Sequence, residues 1–309
     1  MGRGAVGRLM LKEGAVNKID IRRSTIHSRS TVLIVSNPES GSHDAALLGG
    51  LATAYGAHGF AVRFGESSPH DKPDLSQHFD RLCIAAGDGT IRHVLAQMAG
   101  TDKQVPVDFY PAGTINLAAR ERDMLRNPSH FVTASLKREA RPLYLASLND
   151  THFVVCASVS PDARAVAAVS PELKKKIGRF AYAVAMLKML AHWQRPALSI
   201  AIDDSPYFAE AVYVAKGRFY AGPWSFAPEA RIDVPLLHVV MLKQARRRDF
   251  VAFILATLTG RANRLSNVQI VTGKRVNITA NSAQLVQADG DIASALPAEI
   301  AIMPGSLSG

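Results

Sequence analysis

The sequence predicts an α/β chain in two parts: an N-terminal doubly wound parallel sheet with helices on both faces, then a second, mostly antiparallel β-rich domain. Three observations carry this. Continuous apolar runs alternate with helix-spaced segments over the first half of the chain. From about Arg141 short strands separated by turn residues take over. Polar loops containing glycine recur directly after the early strands.

The elements follow in order. Thr31–Ser36 is a buried strand closed by Asn37-Pro38. The stretch 43–59 has the Leu and Ala spacing of a helix, and Phe60–Phe64 returns to strand character. Arg81–Ala86 is a strand, Ile91–Ala99 a helix, Val105–Tyr110 a strand, and Asn116–Asp123 opens another helix. Beyond Arg141 the expected strands are Tyr144–Leu148, His152–Val159, Ala197–Ile202, Ala209–Ala215, Leu237–Leu242, Val268–Thr272 and Arg275–Ala280. Asn149-Asp150 and Asp203-Asp204-Ser205-Pro206 read as turns between them. Two helices interrupt the strands, a long one over Glu172–Trp193 with a basic first turn (Lys174, Lys175, Lys176, Arg179), and a shorter one over Asp249–Thr257.

Composition narrows the class. Apolar residues make up 48% and charged residues 20%, the balance of a folded chain rather than a disordered one. Cys83 and Cys156 both sit in apolar runs and read as buried small hydrophobes. No stretch reaches the roughly 18–20 apolar residues of a membrane span, so the expectation is a cytoplasmic protein or one peripheral on a membrane. The histidines show no metal-ligand spacing. Net charge is +10, and residues 1–30 hold seven Lys/Arg against Glu13 and Asp20. Such an extension suits anionic lipid, nucleic acid or solvent alone.

The sharpest local signal is Ala86-Gly87-Asp88-Gly89-Thr90, between a buried strand and a helix. Glycines let a backbone turn tightly and approach a ligand, and the helix start aims its N–H groups and positive dipole end at the turn. Phosphate is the natural occupant, and Asp88 beside it points to a divalent cation. The bland reading is a turn with Asp88 as a helix cap. Two further loops favour the first: Asn37-Pro38-Glu39-Ser40-Gly41, and Gly113-Thr114-Ile115-Asn116 before another helix. Three strand ends with small hydrogen-bonding residues describe a crevice at the carboxyl edge of a parallel sheet. No Gly-x-x-x-x-Gly-Lys-Ser/Thr loop is present.

Asn-Pro-x-Ser-Gly, Gly-Asp-Gly-Thr and Pro-x-Gly-Thr-x-Asn, in this order, resemble the diacylglycerol-kinase catalytic-domain family, which includes bacterial lipid kinases and the sphingosine and ceramide kinases. The likeness continues through Pro171–Tyr182, Val214–Gly222, Ala227–Ala230 and Val286-Gln-Ala-Asp-Gly-Asp291. It implies an ATP- and Mg²⁺-dependent kinase acting on a hydroxyl of a diacylglycerol-like lipid at an anionic membrane surface, with no nucleic-acid partner. It implies an ATP-binding part over 31–142, rejoined by 296–309, and a lipid-side part over 143–295, after a basic extension over 1–30. By motif, Asn37, Ser40, Gly41, Gly87, Asp88, Gly89, Thr90, Gly113, Thr114 and Asn116 would face nucleotide. Asp88 would lie near magnesium, and the catalytic carboxylate would come from Asp289 or Asp291.

The chain departs from that pattern at several positions. Ala86 and Arg92 stand where the family carries Gly and Asn, a Thr after the second strand reads Gly65 or Glu66, and Asp291 replaces a Glu. Val234 stands where an Asp would hold an accessory magnesium. Two other readings follow: a relative of the NAD kinases, which share Gly-Gly-Asp-Gly, and a non-catalytic lipid- or nucleotide-binding regulator.

Overall fold

The computed structural model describes residues 29–40, 44–68, 71–123, 125–161, 193, 195–305 and 307–308. The N-terminal half is a four-stranded parallel sheet of β1 (Thr31–Ser36), β2 (Ala61–Glu66), β3 (Arg81–Ala86) and β4 (Val107–Pro111), in the order β2-β1-β3-β4. Every residue of β1 is buried, as its unbroken apolar run requires of a strand covered on both faces. On one face α1 (Ala45–Ala57) and α4 (Pro128–Lys137) set Leu51, Tyr55 and Phe131 against Val32, Ile34 and Cys83. On the other, α2 (Asp88–Ala99) sets Ile91, Val94 and Leu95 against Leu33, Val35 and Ile84. The chain leaves β1 toward β2 on one side and resumes at β3 on the other. The crevice between their carboxyl ends is the position at which such sheets bind ligands.

The second half is a sandwich of two antiparallel six-stranded sheets. One has the order β10-β9-β14-β17-β6-β7, from β6 (Ala146–Leu148), β7 (Thr151–Phe153), β9 (Leu198–Ile202), β10 (Ser205–Ala209), β14 (Arg275–Ala280) and β17 (Ala298–Ile302). The other has the order β13-β12-β11-β8-β15-β16, from β8 (Cys156–Val159), β11 (Ala211–Ala215), β12 (Leu237–Leu242), β13 (Val268–Gly273), β15 (Leu285–Ala288) and β16 (Asp291–Ala295). Leu148, Phe153, Ile200, Val212, Val239, Ile278 and Ile300 fill the space between them. The outer face of the second sheet is covered by α5 (Arg247–Leu258), through Phe253 on Tyr213 and Phe226.

The chain's end divides between the two halves. β17 is an inner strand of the first six-stranded sheet, whereas β18 (Leu307–Ser308) pairs with β5 (Pro142–Leu143) and bridges through Ser308 to Pro106 beside β4. Residues 1–28 of the basic extension, and the predicted long helix except Trp193, lie outside the described residues.

Some elements differ from the sequence expectation. The helix expected over 116–123 is the four-residue α3 (Leu117–Arg120), flanked by left-handed residues at Asn116 (φ 57°) and Asp123 (φ 72°). The strand expected over His152–Val159 is split into β7 and β8 around Val154 and Val155. α4 has no counterpart among the expected elements, although Asn127 caps it by accepting from His130 N–H and Pro128 opens it.

Candidate active site

Three loops meet at the carboxyl ends of β1, β3 and β4. The first is braced by Asn37, whose Oδ1 accepts from Glu39 N–H at 2.9 Å and whose amide donates to Thr90 Oγ1 at 3.2 Å. Ser40 N–H donates to the Asn37 carbonyl, and Ser40 lines a cleft beside Asn37, Asp44 and Ala86. Gly41 lies outside the described residues. At the second loop Gly87 is the N-cap of α2, and no side chain caps that helix.

The third loop presses against the second at backbone distance. A Cβ on Gly113 would lie 2.5 Å from Gly87 Cα and 2.8 Å from Asn116 Oδ1, so the position admits no side chain. Asn116 is fully buried and spends both ends of its amide within its own loop, accepting from Gly113 N–H and donating to Gly113 O, each at 2.6 Å. It shapes the loop and leaves Thr114 exposed at the tip.

Asp88 does not cap its own helix. Its Oδ1 accepts from Ala118 N–H at 3.0 Å, at the start of α3, so it ties the second loop to the third. Burial pushes its carboxyl above the usual range, opposed by N–H groups of Ala118, Leu117 and Asn116, and the nearby Asp291 pushes in the same direction as burial.

The Asp289-Gly290 turn joins β15 to β16, with both residues at positive φ (49° and 94°) as a two-residue hairpin requires. That turn sends its two flanking carboxylates opposite ways. Asp289 is buried and accepts three backbone N–H groups, from Val154 (2.8 Å), Val155 (2.9 Å) and Cys156 (3.0 Å). Burial pushes it up to about 6, against the pull of those N–H groups and of Arg92. Asp291 instead faces the second loop: a Cβ on Gly89 would lie 3.1 Å from its Oδ2. Arg92 of α2 holds the hairpin there, donating to Ala288 O at 2.9 Å and pairing with Asp291 Oδ2 at 3.5 Å. The departure at position 92 was visible in the sequence, but its long-range partner was not.

A second network links the halves. Glu121, just after α3, accepts from Arg218 N–H and Phe219 N–H at 2.5 and 3.0 Å. Nearby, the fully buried Lys216 donates from Nζ to the carbonyls of Arg231 (2.7 Å) and Val234 (2.8 Å). Burial pushes its ammonium down to about 7, while Asp233 and Glu121 pull it up. This loop is where the family resemblance implies an accessory magnesium. The residues do not fit one: Val234 offers no side-chain donor, Asp233 is held by Arg231, and the two carbonyls already face an ammonium. Among the described residues no cluster of three or more His, Cys, Asp or Glu side chains could hold a metal.

Comparison with known proteins follows the same division of the chain. A sequence model of the diacylglycerol kinase catalytic domain matches residues 31–148, and one described as the YegS C-terminal NAD kinase beta sandwich-like domain matches 155–308. Residues 31–148 therefore carry the diacylglycerol kinase catalytic domain, and the two matches together run through most of the chain. Similar proteins include a diacylglycerol kinase of Mycobacterium tuberculosis, 26% identical over 298 residues and covering 91% of this chain and 95% of the relative. One from Bacillus subtilis strain 168 is 25% identical over 244 residues, covering 76% and 78%. A crystal structure of a diacylglycerol kinase from Bacillus anthracis str. Sterne superposes with a TM-score of 0.73 at 20% identity, over 91% of this chain and 96% of that one. The α/β-plus-β-sandwich fold of the family is therefore the fold of this protein.

Proposed function

We propose that this protein transfers the γ-phosphate of ATP to a hydroxyl of a diacylglycerol-like membrane lipid. The observation that carries the reading is the placement of Asp291, an exposed carboxylate set against Gly89 where the uncapped N-terminus of α2 opens. A hydrogen-bond acceptor beside an anion cradle is what phosphoryl transfer to an alcohol asks of a protein.

Residues 31–142 form the ATP side and 143–295 the lipid side in this reading. The N–H groups of 88–90 receive phosphate oxygens, helped by the helix dipole. Thr90, held by Asn37, and Thr114 at the loop tip supply hydroxyls. Gly87 and Gly113 allow the close approach. Asp291 accepts the proton of the attacking hydroxyl, while Asp289 positions it by anchoring the hairpin to Val154–Cys156. Asp88 is the residue that would hold a magnesium ion beside the phosphates. A bound magnesium supplies charge neutralisation on the transferring phosphate, and such sites use one or two carboxylates with the remaining ligands from phosphate and water.

The acceptor lipid places the enzyme on a membrane surface, and none of the described helices is long and apolar enough to cross one. Purified protein is incubated with γ-labelled ATP, magnesium and diacylglycerol in mixed micelles, and the lipids are then separated. Label in phosphatidic acid is the expected result. Absence of label in any lipid of a total extract would overturn the reading.

A further inference from the structure

α5 has the wrong outer face for a helix bathed in water. Its inner face, Phe250, Phe253 and Thr257, is buried on the sandwich. The opposite face should then be polar. Instead Val251, Leu255 and Leu258, at i, i+4 and i+7, are 46%, 59% and 42% exposed. They form one apolar strip along a helix about 18 Å long. Between Lys243 and Arg264 the sequence holds six basic residues and one acidic residue, Asp249. That acid is engaged with Arg246, at 2.5 and 3.3 Å. Arg247 and Arg248 are exposed at the helix start, and Arg261 and Arg264 are exposed just past its end. An apolar strip with arginines at both ends is the pattern of a helix lying in a bilayer interface, its aliphatic side chains among acyl chains and its guanidinium groups on lipid phosphates.

We propose that α5 docks the enzyme on an anionic lipid bilayer through Val251, Leu255 and Leu258. This rests on the lipid-kinase reading for its purpose, though not for its test. A bilayer fits this face better than a second copy of the chain. The strip covers on the order of 200 Å², far below the roughly 800 Å² per partner of a stable interface. Two copies meeting here would also bring like charges together. The docked helix is wired to the lipid side of the molecule. Phe253 stacks on Phe226 (6.0 Å between centroids), and Phe226 packs on Tyr220, whose N–H donates to Trp224 O in the same loop. Trp224 is itself 40% exposed, and Trp is the side chain most at home at a membrane interface.

The test compares the full-length protein with a variant carrying Val251→Gln, Leu255→Gln and Leu258→Gln, three exposed changes that keep good helix formers. Co-sedimentation is measured with phosphatidylglycerol/phosphatidylcholine vesicles and with pure phosphatidylcholine vesicles. The wild type should bind the anionic vesicles in clear excess, and the variant should bind them about tenfold more weakly. Its melting temperature should be unchanged. Phosphorylation of a short-chain, water-dispersed diacylglycerol should also be unchanged, while that of vesicle-embedded diacylglycerol falls. Vesicle binding is read without turnover, so failure of the kinase reading leaves this result interpretable. Equal vesicle binding by the two proteins would overturn the proposal. So would a wild-type dimer that the variant loses, since a second copy would then own the face.

Discussion

Replacing Asp291 with Asn and Asp289 with Asn should produce opposite failures, although the two residues are separated by a single glycine. The Asp291 side chain is 51% exposed and meets the fold through one 3.5 Å pair with Arg92. An ion pair that open to water is worth about 0–1 kcal/mol, so Asp291→Asn should leave the melting temperature within a degree or two. Turnover should fall by roughly 10² to 10⁴, the range for loss of a general base, which raises the barrier by about 2.7–5.5 kcal/mol. Asp289 is the reverse case. Its two oxygens accept three N–H groups, and an amide offers only one acceptor, so its NH₂ must face at least one N–H donor. A buried donor left unpaired costs about 1–3 kcal/mol, which for a chain of this size lowers the melting temperature by several degrees. Turnover per folded molecule should fall less than in Asp291→Asn. Initial rates at saturating ATP and diacylglycerol, with thermal melts of each variant, give both readouts. Wild-type turnover in Asp291→Asn, together with an inactive Asp289→Asn of unchanged melting temperature, would exchange the two roles and refute the assignment.

Gly113→Ala should destabilise the protein and weaken ATP binding together, because its Cβ meets backbone at Gly87 Cα and the two loops must part; calorimetric titration and a melt check this. Gly89→Ala, whose Cβ meets only the tip of Asp291, should keep stability and lower turnover. Chelating magnesium in the absence of nucleotide should leave the melting temperature unchanged, since Lys216 rather than a metal faces the carbonyls of Arg231 and Val234. Lys216→Met should remove one component of the pH dependence of stability. The folded protein releases that proton near 7 and the unfolded chain near the ordinary 10.5, so the unfolded chain holds more protons in between. This contribution is full above about 10.5 and is lost as pH falls through about 7. Urea midpoints of both proteins across that window, subtracted, isolate it from Tyr55 and Cys83, which burial pushes up in the folded protein and which titrate in this range only in the unfolded chain.

Legibility in the sequence followed the range of the interactions. β1, β3 and β12 match the sequence expectation to their end residues because a mostly apolar run is a local signal, and β14 matches because Val276 and Ile278 alternate with polar residues. β10 was hidden because Ser205-Pro206 read as turn chemistry. It is an edge strand, where proline costs no ladder bond, and the turn itself is confined to Asp203 and Asp204, both at positive φ. The break at Val154 and Val155 exists because their N–H groups turn to Asp289, more than 130 residues away. The crevice loops were recognisable because each is a short motif at a strand end. The partners of Arg92, Glu121 and Lys216 were not, since only the folded chain brings them near. Asp88 shows both sides: its position in the turn was plain, but the helix its carboxylate serves begins 29 residues later.

The apolar interior has a further consequence for how substrates enter. Leu33, Ile84 and Leu95 of the parallel-sheet half belong to one continuous buried cluster with Val154, Tyr213 and Phe253 of the sandwich half. Many kinases admit nucleotide and acceptor by swinging two lobes about a hinge, which requires a wet or polar boundary between them. Swinging these halves apart would strip water-free contacts from the middle of the molecule, and Glu121 and Ser308 fasten the boundary besides. In the lipid-kinase reading, entry and release then fall to loop adjustments at the rim, and the two halves should melt in a single transition, which calorimetry would read.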